Sequence, residues 1–98
     1  MSREVRYFAE AADELAEAAD WYQAQETGLS AKFMQAYQST LEAIERFPFS
    51  FPVVRKTVRR AVMQRYPYGV MYLVTDAHIV IVACFHSSRD PAIWQSRV

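Results

Sequence analysis

The 98-residue chain carries eleven basic and eleven acidic residues, so its formal net charge is zero, and 52% of its residues are apolar. This length predicts a single domain over residues 1–98, and no apolar run approaches the roughly 20 residues that span a bilayer. The single cysteine, Cys84, excludes an intramolecular disulfide and, together with a charged N-terminal segment unlike a signal peptide, predicts a cytoplasmic protein.

The first half of the chain has the pattern of a strand followed by two helices. Residues 3–8 alternate in polarity, which predicts a short strand. Residues 9–25 and 30–46 have apolar side chains at three- and four-residue steps, which predicts two amphipathic helices. Gly28 lies in the short connection between the helices, and Pro48 ends the second one. The two helices should therefore form an antiparallel hairpin.

The second half of the chain has the pattern of strands. Apolar runs and two-residue alternation predict strands over residues 57–66, 68–75 and 78–85, with Pro67 and Asp76 at the junctions. The element order β-α-α-β-β-β predicts an α+β fold with an N-terminal strand, a helical hairpin and a three-stranded antiparallel meander. The hairpin should cover one face of a mostly antiparallel sheet and leave the other face to a partner.

Charge is divided unevenly between the two halves. Residues 1–47 carry nine acidic and four basic side chains, whereas residues 48–98 carry seven basic and two acidic ones. This asymmetry is typical of a surface that binds an anionic partner, and solvated faces that segregate by sign produce it as well. Aromatic residues interleave with the arginines, as in surfaces that bind RNA or an acidic protein. The basic residues of the second half are Arg55, Lys56, Arg59, Arg60, Arg65, Arg89 and Arg97.

The residue types predict neither a metal nor a cofactor. His78 and His86 lie at opposite ends of one predicted strand, and Cys84 with His86 supplies too few ligands for zinc. The two glycines are too few for a glycine-rich phosphate loop, and the serines beside His86 lack the turn motif of a serine nucleophile. Three carboxylates are interpreted as the solvated face of the first helix: Asp13, Glu14 and Glu17.

The C-terminal tail contains both anchors and charges. Asp90 can cap a short helical turn with Pro91 at its first position, where a missing N–H group has no cost. Trp94 should pin this turn to the body of the protein. Arg89 and Arg97 are then expected to project beside the open face of the sheet.

Four segments in order resemble the RelE/ParE superfamily of toxins from type II toxin–antitoxin systems. AADELAEAADWY and FMQAYQSTLEAIERFPFSFP are similar to the helical hairpin of the superfamily and its proline-containing exit. VRRAVMQRYPYGVMYLV is similar to the arginine-led strand, the aromatic-Pro-Tyr turn and the next strand. IVIVACFHSSRDPAIWQSR is similar to the last strand and the His-x-x-Arg-Asp-Pro-x-x-Trp-x-x-Arg ending of one branch. The resemblance covers residues 5–97 and agrees with the predicted element order.

The resemblance implies the growth-inhibiting toxin of a plasmid-stabilisation module, neutralised by a cognate antitoxin in a hetero-oligomer. ParE-like members poison DNA gyrase, whereas RelE-like members cleave mRNA on the ribosome. A RelE-like Tyr-Arg-x-x-Tyr pattern would place an arginine where this chain has Gly69, and no tyrosine follows Phe85. These departures favour the ParE-like branch, which acts on gyrase by binding, and no catalytic residue is assigned.

The alternative is a ribosome-dependent mRNA endonuclease that uses Arg60, Arg65, His86 and Arg89. His86 would then act as acid or base, and otherwise it is a strand-end histidine hydrogen-bonded to the tail. A binding module without toxicity is a third interpretation. Each of them predicts no membrane partner and a docking surface for antitoxin or target. The expected docking residues are Arg59, Arg60, Arg65, Arg89, Trp94 and Arg97.

Overall fold

The computed structural model describes residues 3–98, which form five strands and three helices. In chain order the elements are β1 (Glu4–Tyr7), α1 (Ala9–Gln25), α2 (Leu29–Arg46), β2 (Val53–Arg55), β3 (Val58–Val62), β4 (Tyr68–Val74), β5 (His78–His86) and α3 (Ala92–Gln95). The strands form one mixed sheet in the order β1-β5-β4-β3-β2. Among these strands β1 and β5 pair in parallel and the other neighbours pair antiparallel, and the helical hairpin connects β1 at one edge of the sheet to β2 at the other.

The predicted α+β fold is confirmed, and the strands differ in number and length. The predicted strand over residues 57–66 is shorter, since β3 ends at Val62, and the sheet contains β2 in addition. Arg65 adopts a left-handed φ of 70° ahead of Pro67, which turns the chain out of the strand direction. A strand of three residues such as β2 is too short to produce a recognisable alternation.

The helical hairpin covers one face of the sheet, which we call the helix face, as expected. Phe33, Tyr37 and Ile44 of α2 are almost fully buried against sheet residues such as Val70 and Ile81. Burying each such large side chain stabilises the fold by about 1.5–3 kcal/mol. Gly28 begins the second helix at a φ of 94°, a conformation open to glycine, so the hairpin can turn tightly there. Within residues 3–98, no helix is both long and apolar enough to cross a membrane.

A second, smaller core lies on the opposite face, which we call the open face. The indole of Trp94 packs there against Met71, Val82, Ala83 and Phe85 and is 3% exposed. Val82 and Ala83 are both buried on this face because β5 carries a bulge: Ala83 pairs with Met71 and Ile81 with Tyr72, which leaves Val82 as the extra residue.

The C-terminal turn forms as the sequence predicts. The Asp90 carboxylate accepts a hydrogen bond from the backbone N–H of Ala92 at 3.0 Å, at the start of α3. The pinning of this turn by Trp94 is confirmed. The tail is therefore held on the sheet through Trp94 and Val98.

Candidate docking site

A groove of about 390 Å³ opens on the open face of the sheet. Its floor is largely apolar, and an arginine stands at each side, Arg60 from β3 and Arg89 from the tail. We call it the open-face groove and define it by Arg60, Val62, Gly69, Met71, Phe85, His86, Arg89 and Trp94. An apolar floor between two cations is suited to an amphipathic segment that carries acidic side chains.

Arg60 lies across Gly69 on the neighbouring strand. A Cβ atom at position 69 would lie 3.3 Å from both Cγ and Cδ of Arg60 and 3.1 Å from Cε of Met71. Glycine at this position therefore leaves the space that the stem of Arg60 occupies. The arginine of the RelE-like pattern could not be placed at position 69 without moving Arg60.

Arg89 lies at the rim of the groove, held from two directions. Its guanidinium carbon is 4.3 Å from the centre of the Phe85 ring, which is a cation–π distance. Its Nη1 atom donates a hydrogen bond to Oε2 of Glu14 at 3.2 Å. The side chain nevertheless remains 43% exposed, so its charge is accessible to a partner.

Arg97 and Glu14 form a buried ion pair, which corrects two expectations from the sequence. Nη1 and Nη2 of Arg97 donate to Oε1 and Oε2 of Glu14 at 2.9 and 2.8 Å, and the two side chains are 10% and 9% exposed. The hydrogen bond to Glu14 is the main cause that raises the pKa of Arg97. Glu14 is therefore not on the solvated face of α1, and Arg97 does not project beside the open face.

The ion pair of Glu14 and Arg97 makes hydrogen bonds to the backbone of β5 where none of the strands described above does. Strand β1 pairs with residues 78–81 of β5, and within residues 3–98 no strand pairs with the rest of β5 on that side. There the N–H of Cys84 donates to Oε1 of Glu14 at 3.2 Å, and Nη1 of Arg97 donates to the carbonyl of Val82 at 3.1 Å. Unpaired buried backbone groups are costly, and these two side chains satisfy them.

A sequence signal for Glu14 did exist. Glu14 occupies the same helical stripe as Ala11 and Ala18, which are both buried, at steps of three and four residues. A carboxylate on a stripe of small residues that pack closely against a sheet requires a cationic partner. The sequence alone does not reveal that the partner comes from the tail, 83 residues away.

His86 is tied to the tail rather than free. Its Nδ1 atom accepts a hydrogen bond from the backbone N–H of Ser88 at 3.0 Å and lies 2.8 Å from the hydroxyl oxygen of Ser88. Because a backbone N–H can only donate, Nδ1 is the acceptor of that hydrogen bond. This matches the expectation of a strand-end histidine hydrogen-bonded to the tail.

The remaining predicted site residues lie elsewhere. Nη1 of Arg59 donates to the carbonyls of Phe49 and Phe51 at 3.1 and 2.7 Å, so Arg59 fixes the loop after α2. Arg65 lines a separate groove of about 700 Å³ beside α2, together with Lys32. The structure thus brings Arg60, His86, Arg89 and Trp94 to one groove, whereas Arg59, Arg65 and Arg97 lie outside it.

Comparisons with known proteins agree with this architecture. The family model described as "ParE toxin of type II toxin-antitoxin system, parDE" matches residues 5–91. Among solved structures, one described as "Chromosomal ParDE TA system from P. aeruginosa" superposes with a TM-score of 0.64 at 19% identity, over 86% of this chain and 95% of that chain. At this identity the structural likeness shows the fold. No match was found among curated proteins. The family match covers most of the chain, and the protein therefore belongs to the ParE toxin family of type II toxin–antitoxin systems.

Proposed function

We propose that this ParE-type toxin inhibits growth by binding DNA gyrase through the open-face groove, and that its cognate antitoxin neutralises it by covering the same groove. The observation that carries the proposal is the pair of accessible arginines, Arg60 and Arg89, beside an apolar floor. Such a surface binds through complementary charge and apolar burial and requires no reacting group.

The arrangement of the other polar residues supports binding rather than RNA cleavage. Of the four residues of the nuclease alternative, Arg60, His86 and Arg89 line the open-face groove, whereas Arg65 lies in the groove beside α2 and is not available to the same site. Nδ1 of His86 already accepts from the tail, so this histidine would have to work through Nε2 alone. Burial raises the pKa of Tyr68 beside it, which keeps that phenol neutral and a poor source of a base at neutral pH.

A supercoiling assay with purified toxin and purified gyrase tests the proposed target. We expect inhibition at micromolar toxin, relief of inhibition when the antitoxin is added, and loss of inhibition in Arg60→Glu. Primer extension on translated mRNA after induction provides the counter-test. Codon-positioned cleavage that depends on His86, without any effect on supercoiling, would show that the protein is a nuclease.

The antitoxin part of the proposal has its own experiment. Co-expression with the protein encoded by the adjacent small reading frame should abolish growth arrest and yield a stable complex. Growth arrest that continues in the presence of every adjacent gene product would contradict neutralisation.

A further inference from the structure

The cluster around Glu14 contains two guanidinium groups, and Glu10 and Glu17 lie near it. One carboxylate, Glu14, is shared by two guanidinium groups, Arg97 and Arg89. Arg97 makes the bidentate pair and is 10% exposed, whereas Arg89 makes one hydrogen bond and is 43% exposed. Because Arg97 is held in the buried pair, the accessible cation of the cluster is Arg89, at the rim of the open-face groove.

Arg89 retains unused hydrogen-bond donors in a fixed orientation. Within residues 3–98 its Nη1 atom donates to Glu14, and no protein acceptor is in place for Nε or Nη2. Those two groups lie on one side of the planar guanidinium and together match the two oxygens of a carboxylate. The Phe85 ring at 4.3 Å and Glu14 at 3.2 Å constrain the guanidinium in two different directions.

We propose that Glu14 and Arg97 are positioning residues, which orient Arg89 so that its Nε–Nη2 edge receives a carboxylate from an acidic segment of a protein partner. The inference rests on the proposed function, because it concerns the same groove. A protein segment is favoured over nucleic acid because Phe85, Met71 and Trp94 beside Arg89 are buried and offer no free aromatic face for a base to stack on, and the ring of Tyr68, which also lines the groove, is half-buried.

The orientation of Arg89 can be measured on the free toxin. In ¹⁵N relaxation, the Nε–H vector of Arg89 should be ordered in the wild type and mobile in Glu14→Gln. Glu17→Gln is the matched control, because Glu17 lies one turn further along α1, is exposed and lines the cleft next to Arg89. Equal mobility of Arg89 in the wild type and in Glu14→Gln would overturn the positioning role.

The effect of this orientation on binding is measured with the cognate antitoxin. We expect Arg89→Gln to weaken the complex about thirtyfold, and Glu14→Gln to weaken it about fivefold to tenfold. The double variant should bind no worse than Arg89→Gln alone, since both changes remove the same contact. Additive losses would mean that Glu14 acts through stability only, and would overturn the proposal.

Two further measurements keep the outcome interpretable. Arg97→Lys retains the charge but loses the bidentate geometry, so it should give an intermediate loss of affinity if Glu14→Gln does not fold. A wild-type toxin that binds no antitoxin would contradict the proposed function, while the relaxation data would still test the orientation of Arg89. Competition by a single-stranded RNA oligonucleotide that depends on Arg89 would overturn the assignment of a protein carboxylate.

Discussion

The thiol of Cys84 is buried beneath α1, and its environment makes stability depend on pH. Burial, with a smaller contribution from Glu14, raises the pKa of Cys84 from its ordinary value of 9.0 to about 12. Below pH 9 the thiol is neutral in both the folded and the unfolded chain. Between about pH 9 and pH 12 it ionises only in the unfolded chain, so the free energy of unfolding falls as the pH rises.

We therefore expect Cys84→Ala to flatten the loss of stability at alkaline pH. The slope that one such group contributes is at most about 1.4 kcal/mol per pH unit. Urea unfolding at a series of pH values above 9 measures this slope. The interval below pH 10 is the most informative, because tyrosines with a raised pKa, such as Tyr72, have an ordinary pKa of 10.0 and contribute above it. Identical slopes in both proteins would show that Cys84 is not the source.

Glu14 should be among the most sensitive positions in the chain. Glu14→Ala removes the acceptor of Arg97, Arg89 and the N–H of Cys84 together, and leaves a guanidinium that is nearly buried without its partner. We expect the free energy of unfolding to fall by about 3 kcal/mol or more. Asp13→Ala, at the exposed neighbouring position, should change it by less than about 0.5 kcal/mol. Equal effects in urea titrations would contradict the structural role of Glu14.

At the scale of elements, two basic residues have backbone conformations that favour glycine. Lys56, in the tight turn between β2 and β3, has a φ of 51°, and Arg65, after β3, has a φ of 70°. The left-handed region costs an L-residue about 1 kcal/mol or more, so these turns form against local preference. Both positions lie where the chain has to reverse direction between paired strands.

Lys56→Gly should relieve the strain in the β2–β3 turn. Glycine adopts this φ without a steric penalty but loses more backbone entropy on folding, so we expect a net gain of up to about 1 kcal/mol in unfolding free energy. Thr57→Gly, at the next position with an ordinary φ, should instead lose about 0.5–1 kcal/mol. A loss of stability in Lys56→Gly comparable to that in Thr57→Gly would contradict this interpretation of the turn.

The elements that the sequence predicts well are those set by local pattern. The first helix has the predicted bounds because its periodicity and its ends lie within 17 consecutive residues. The parallel pairing of β1 with β5 and the ion pair of Glu14 with Arg97 depend on residues more than 70 positions apart, which no local pattern encodes. The sequence predicts that one face of the sheet is left uncovered by the helices. The structure shows that Arg60 and Arg89 share a groove on this face and that Arg65 lies outside it.

At the scale of the whole molecule, some basic residues of the second half form contacts within the fold. Arg97 forms an ion pair with Glu14, and Arg59 donates hydrogen bonds to backbone carbonyls. The exposed cations Arg60 and Arg89 remain at the open-face groove, whereas Arg55 ends β2 and Lys56 lies in the β2–β3 turn. The first pair adjoins the apolar floor of the groove, which adds burial to charge.

Charge reversal at these two places should therefore have different effects on the antitoxin complex. Arg60→Glu should weaken binding by roughly tenfold or more, because it places a negative charge in the groove. Arg55→Glu makes the same change of charge at the end of β2, outside the groove, and should alter affinity by less than roughly threefold. Isothermal titration calorimetry measures both, and equal losses would indicate long-range attraction rather than contact in the groove.

The position of β5 has a consequence for the order of events during synthesis. This strand lies between β1 and β4, yet it is the last strand of the chain to leave the ribosome. Until it emerges, β1 has no neighbour and the helical hairpin has only part of the sheet to pack on. Residues 87–98, which complete the groove, follow later still. A nascent chain therefore cannot present the groove until residues 87–98 have been synthesised.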